Sequence, residues 1–198
     1  VNINPAGDFE DEIRSYRQLW EQGQRINQAL LERDMEKGSS FALVMQNHPE
    51  FIDAMVGSSL AGTVFVPIDP RTGGDRLHYM LDWAECSGVF CADYCFNRVY
   101  EVCKNMPQIR WIWVMDTGEK VTLPSDPRVE AYEQVIAGDY TERECRVDSP
   151  EEVMQMLYTS GTTGDPKAIR APYLRFDNVA SIGPMIDMRE DDRPYTGL

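Results

Sequence analysis

A chain of 198 residues is long enough for one well-filled core and marginal for two. Its 42% hydrophobic and 26% charged content is that of an ordinary globular protein in water, and no run of about 18 apolar residues offers a membrane span. The net charge of −14 argues against a nucleic-acid partner or an anionic membrane patch, so any phosphate must be held by local donors against the overall field.

The start, VNINPAGDFEDE, is acidic, lacks the basic and apolar parts of a signal peptide, and has no initiator methionine, as expected of a trimmed chain. Ser15-Tyr-Arg-Gln18 matches a capping box. Apolar positions then recur helically at Leu19, Trp20, Gly23, Ile26, Leu30 and Leu31, and Gly38 closes the pattern. FALVMQ (41–46) has strand length. Asn47-His-Pro-Glu50 is a second capping signature, with Pro49 in the first turn of a helix that stops at Gly62. TVFVPI (63–68) reads as the next strand, ended by Pro67 and Pro70. A helix over about 75–85, a strand at 88–93, a helix over about 96–105 and a strand at 111–116 continue the alternation.

Strand starts fall 22 to 25 residues apart with a helix in each gap, which predicts parallel pairing through right-handed crossovers. The strands are continuously apolar, as when both faces are covered. The expected class is therefore α/β, a layered and mostly parallel sheet flanked by helices. Residues 1–116 form the alternating unit. From 117 to 150 Gly, Pro, Asp and Glu dominate, which reads as a surface excursion with a helix only at 129–138. The chain re-enters with a strand at 151–159, a loop, a strand candidate at 168–173 and a helix over about 174–187.

Cys86, Cys91, Cys95, Cys103 and Cys145 are an odd set without a secretory signal, which points to reduced thiols and a cytoplasmic setting. Spacings of x4, x3 and x7 form no paired knuckles, and neither histidine completes a metal site, so thiols packed in the core are the better reading. His48 in a capping turn and His78 on a helix read as structural. Trp111 and Trp113 share a strand face and read as core. The acidic EDEIR and REDD stretches read as solvated surface.

LYTSGTTGDPKAI (157–169) concentrates two glycines, four Ser or Thr hydroxyls and one lysine. A hydrophilic turn is one reading. The other is a phosphate loop: Gly161 and Gly164 let backbone amides approach an anion, Thr159, Ser160, Thr162 and Thr163 add hydroxyl donors, and Lys167 adds a charge that Pro166 helps to aim. A Walker P-loop is excluded, because Pro166 precedes Lys167 and Ala168 follows it.

YTSGTTGDPKAI resembles the phosphate-binding signature of the adenylate-forming (AMP-binding) enzymes: acyl-CoA synthetases, firefly luciferase and peptide-synthetase adenylation domains. SYRQLWEQGQRINQALLE and FALVMQNHPEFIDAMVGSSLAGTVFVPIDPR are similar to that family's first helix and next strand–helix–strand. The resemblance implies ATP-dependent activation of a small carboxylic acid as an acyl-adenylate, with ATP, Mg2+ and CoA as substrates and cofactor of an acid–CoA ligase. By analogy Thr159, Ser160, Gly161, Thr162, Thr163, Gly164 and Lys167 bind the β- and γ-phosphates. No catalytic or metal-binding residue is assigned. Ala168 stands where the family usually has glycine. The family's acid-pocket histidine segment, aromatic-Gly-x-Thr-Glu segment, ribose aspartate and C-terminal lysine domain have no counterpart here. Residues 1–198 are therefore expected to be a partial AMP-binding domain, inactive alone, whose uncovered apolar surface favours homo-oligomers. A peptide-synthetase adenylation domain and a non-catalytic nucleotide-binding module are the alternatives.

Overall fold

The computed structural model describes residues 2–3, 9–10, 13–159, 166–182 and 187–189. Strands β1 (Asn2–Ile3) and β2 (Phe9–Glu10) form a small antiparallel pair. The main body then alternates as β3 (Ser40–Val44), α2 (Pro49–Ala61), β4 (Val64–Ile68), α3 (Gly74–Trp83), β5 (Cys86–Ala92), α4 (Asp93–Cys103) and β6 (Trp111–Met115), preceded by α1 (Tyr16–Glu32). β7 (Val129–Ala131) and the single turn α5 (Tyr132–Val135) follow. β8 (Val153–Thr159), β9 (Lys167–Pro172) and α6 (Tyr173–Ala180) complete the order.

Seven strands form one sheet in the order β7-β6-β5-β3-β4-β8-β9, parallel throughout except for the β8–β9 pair. β3, β4, β5 and β6 are almost wholly buried, which explains their unbroken apolar runs. The chain winds from β3 to β4 on one side and returns to β5 on the other. Right-handed crossovers therefore put α2 on one face and α3 with α4 on the opposite face.

α1 begins with the expected capping box, in which the Gln18 amide N–H donates to Ser15 Oγ and Gln18 Oε1 accepts from the Ser15 backbone. It ends at Glu32 rather than near Gly38. α1 and α2 approach closely at two glycines. A Cβ on Gly57 would meet Ile26 Cγ2 at 2.5 Å, and one on Gly23 would meet Val56 Cγ1 at 2.4 Å. Gly62 caps α2 in the left-handed conformation, as its position in the sequence implies.

Several expectations need correction. The N-cap of α2 is His48, not Asn47, and its side chain makes no capping bond; Pro49 at the first helical position puts the cap one residue before it. Pro67 lies inside β4, opposite Leu43, and does not end the strand. The registered pairing of β4 to β8 stops at Phe65, so a missing N–H is tolerated beyond it. α4 starts directly at Asp93, with no connecting residues after β5. The stretch expected to be a helix at 129–138 opens instead as strand β7, whose three residues pair with Ile112–Val114, and only one helical turn follows. α6 is described only as far as Ala180, short of the expected 187.

Trp111 and Trp113 do share a buried face, with ring centroids 4.2 Å apart. Phe41 packs on Trp111, and Phe90 packs between Trp113 and Tyr132. Cys86, Cys91, Cys95 and Cys103 are buried thiols in this core, and Cys145 is exposed. Burial pushes the Cys86 thiol up, and raises Cys103 to about 12. Among the described residues no His, Cys, Asp or Glu cluster has the makings of a metal site, and no helix is long and apolar enough to cross a membrane. Arg14, within the stretch read as plain solvated surface, bonds to Glu50 at 2.6 Å and also pairs with the buried Asp53, so it fixes the entry to α1 against α2.

Candidate functional site

Because β3, β4, β5, β6 and β8 run parallel, their carboxyl ends share one edge of the sheet, where α/β folds place ligands. Where the strand order reverses, between β3 and β5, Tyr94 reaches from the start of α4 to the residues that follow β3. Its hydroxyl accepts the Gln46 amide N–H at 2.6 Å and lies 3.0 Å from His48 Nε2. His48 is thereby engaged within the fold, and His78 is an exposed position on α3. Next to Tyr94, Asp93 accepts hydrogen bonds from the Tyr94, Thr117 and Glu119 amides and from the Thr117 hydroxyl. Burial works against its charge, but these donors outweigh it and hold the carboxyl below the ordinary range. The turn after β4 is closed by Arg71, whose hydrogen bonds hold the Asp69 carboxyl at about 2.

The glycine- and threonine-rich loop leaves this edge from β8 and returns through β9. β8 and β9 pair antiparallel, so the segment between them joins the two arms of a hairpin at this edge. Thr159 and Lys167 face each other as the last pair of the antiparallel ladder, and the Thr159 hydroxyl donates to the Lys167 carbonyl at 3.3 Å. Both residues are exposed. No hydrogen bond or ion pair engages the Lys167 ammonium among the described residues. Pro166 is buried at the loop exit, which fixes the backbone just before the lysine. Ser160, Gly161, Thr162, Thr163 and Gly164 lie outside the described residues. The described part therefore brings two of the seven sequence-derived site residues together, and the exposed Lys167 ammonium at the end of the ladder suits an anion such as phosphate.

One contact beside the candidate loop was not legible in the sequence. Tyr158, next to Thr159, sends its hydroxyl 2.7 Å to the Met80 carbonyl in α3, and the Trp83 ring meets it edge-on at 6.4 Å. Burial pushes its phenol up, so it donates this bond throughout the working pH range.

The fold is thus an open, doubly wound α/β sheet that carries a hydroxyl- and lysine-bearing hairpin loop at its carboxyl edge. The chain belongs to the AMP-binding enzyme family, whose model matches residues 4–181. Over 163 residues it is 28% identical to the medium/long-chain-fatty-acid–CoA/3-oxocholest-4-en-26-oate–CoA ligase of Mycobacterium tuberculosis H37Rv, covering 80% of this chain and 29% of that protein. It is also 28% identical over 171 residues to gramicidin S synthase 2 of Brevibacillus brevis, covering 86% of this chain and 3% of that one. Among solved structures, the acyl-CoA synthetase of Brucella canis superimposes with a TM-score of 0.76 at 17% identity, over 96% of this chain and 33% of that one. Anthranilate CoA ligase AuaEII in complex with anthranoyl-AMP gives 0.75 at 21% identity, over 83% and 31%. These likenesses establish the fold as that of the adenylate-forming enzymes. The chain spans about a third or less of the CoA ligases it matches.

Proposed function

We propose that this chain is the phosphate-holding N-terminal part of an ATP-dependent carboxylic acid–CoA ligase. In that reading residues 1–198 are one partial AMP-binding domain, and the chemistry is completed by segments outside it. The observation that carries the reading is the Thr159–Lys167 pair at the mouth of the hairpin on the sheet's carboxyl edge. A carboxylate oxygen attacks the α-phosphorus of ATP, the bond to the β-phosphate bridge breaks, and pyrophosphate leaves. In this reading Thr159, Ser160, Thr162, Thr163 and Lys167 are the side chains that would meet the β- and γ-phosphates, and Gly161 and Gly164 would act through the backbone. Their donors match the charge that grows on the leaving pyrophosphate. Mg2+ enters with ATP as its counter-ion. CoA then displaces AMP to give the thioester. Five free cysteines suit a cytoplasmic setting.

The match to gramicidin S synthase 2, at the same identity as the match to the mycobacterial ligase, favours a second reading within the same chemistry: an adenylation domain that hands its acyl group to a carrier thiol. Acid-dependent exchange of labelled pyrophosphate into ATP, measured on the full-length gene product with a panel of small and medium acids, tests the shared step. Adding CoA then separates the readings. Acyl-CoA formation supports the ligase, and an acyl-adenylate that CoA leaves untouched supports the adenylation domain. The 198-residue chain alone is expected to form no acyl-adenylate. Acid- and ATP-dependent adenylate from it overturns the view that it is a part. No exchange with any acid, despite ATP binding, leaves a non-catalytic nucleotide-binding module.

A further inference from the structure

β8 joins the rest of the sheet through one registered rung, Phe65 opposite Gln155. Its remaining residues, Met156 to Thr159, have ladder partners only in β9, and β9 is the last strand of the sheet. The mouth of the hairpin is therefore a two-stranded ribbon, an arrangement that is marginally stable without further support. Met156 packs on the core and Pro166 is buried, but at the level of the last rungs the tie to a helix is made by Tyr158. Tyr158 is half-buried and reaches across to α3, where its hydroxyl donates to the Met80 carbonyl at 2.7 Å and its ring packs edge-on to Trp83. Met80 is buried, its carbonyl also accepts the Ala84 amide at 3.2 Å, and the last carbonyls of a helix carry partial negative charge that strengthens such a bond. Tyr158 stands beside Thr159 and pairs with Ala168, the neighbour of Lys167, so it is at the level where the loop begins and ends.

We propose that Tyr158 is a positioning residue for Lys167, its hydroxyl fixing the Thr159–Lys167 end of the ladder to the Met80 carbonyl so that the lysine is presented to ATP phosphates in one orientation. The proposal rests on the phosphate-loop reading. Without the bond the stem samples other orientations, and ATP binds only the fraction that is correctly placed, so its apparent affinity falls by that fraction. Once ATP is bound its contacts hold the stem in place, so the effect on turnover is smaller.

The test compares wild type with Tyr158→Phe, which removes the hydroxyl and keeps the ring packing. In pyrophosphate exchange by the full-length gene product, the variant is expected to raise KM for ATP roughly five- to tenfold, the weight of one hydrogen bond. That rise should exceed any fall in kcat and should leave KM for the acid unchanged. A folded variant with unchanged KM for ATP and only a lower Tm overturns the proposal, since that is the signature of a purely structural tyrosine. A second arm uses the 198-residue chain and amide hydrogen exchange read by mass spectrometry. Peptides within 153–172 should exchange faster in the variant while those of β3 and β5 stay as in wild type; equal exchange overturns the proposal. If wild type shows no pyrophosphate exchange with any acid, the adenylation reading fails, and the second arm alone decides the positioning claim.

Discussion

Gly88 lies directly against Trp111, its parallel register partner: a Cβ on residue 88 would sit 1.9 Å from the indole Cε2. The strand therefore needs glycine there to let the indole lie flat over β5 and meet Trp113. Gly88→Ala forces the indole or the strand to move inside a packed core. A loss of at least about 2 kcal/mol is expected, in the range of overpacking, read as a lower urea midpoint with an unchanged slope.

Arg14 joins α1's entry to α2 by charge, with 25% side-chain exposure against 2% for Asp53. Arg14→Ala takes away the cation that faces a buried carboxylate. The expected cost is about 2–3 kcal/mol, at the lower end for breaking a buried pair because Arg14 itself is partly solvated. Arg14→Lys should restore only part of it, since Arg14 bonds Glu50 and Asp53 through two different nitrogens. Equilibrium denaturation of the three proteins checks both statements.

Stability should also fall in acid through a nameable group. Arg128 hydrogen-bonds Asp126 through its side chain and backbone, and these bonds hold that carboxyl at about 2. The folded value lies below the unfolded one of about 3.9, so the contribution is full above about pH 4 and is lost as pH falls toward about 2. The same guanidinium bonds the carbonyls of Cys103, Met106 and Ile109, so the pair secures the chain after α4. Asp126→Asn should be less stable than wild type at pH 6, and the difference should shrink at pH 2.5. Denaturant midpoints at the two pH values decide it.

The alternating unit was legible because it is encoded locally. Four buried strands read as unbroken apolar runs, and the box at Ser15 and the glycine at 62 mark helix ends by their own chemistry. β7 was not legible. Its three half-buried residues sit in a polar stretch, and they form a strand only because the edge of β6 is there to receive them. Pro67 misled for a related reason: whether proline ends a strand depends on which neighbour has already stopped pairing. For the candidate site, Thr159 and Lys167 could be named from the sequence because the whole signature is contiguous. Tyr158 stood in the same signature, yet its partner Met80 lies 78 residues away, and nothing local announces that bond.

The most direct test of the account is acid-dependent pyrophosphate exchange by the full-length gene product, wild type against Lys167→Ala. Lys167 is expected to meet the leaving pyrophosphate, and one charge-assisted contact is worth about 1.5–3 kcal/mol. The variant should therefore lose roughly ten- to a hundredfold in kcat/KM for ATP, with its Tm within a few degrees of wild type. Equal exchange by the two proteins would contradict the assignment of this loop to ATP phosphates.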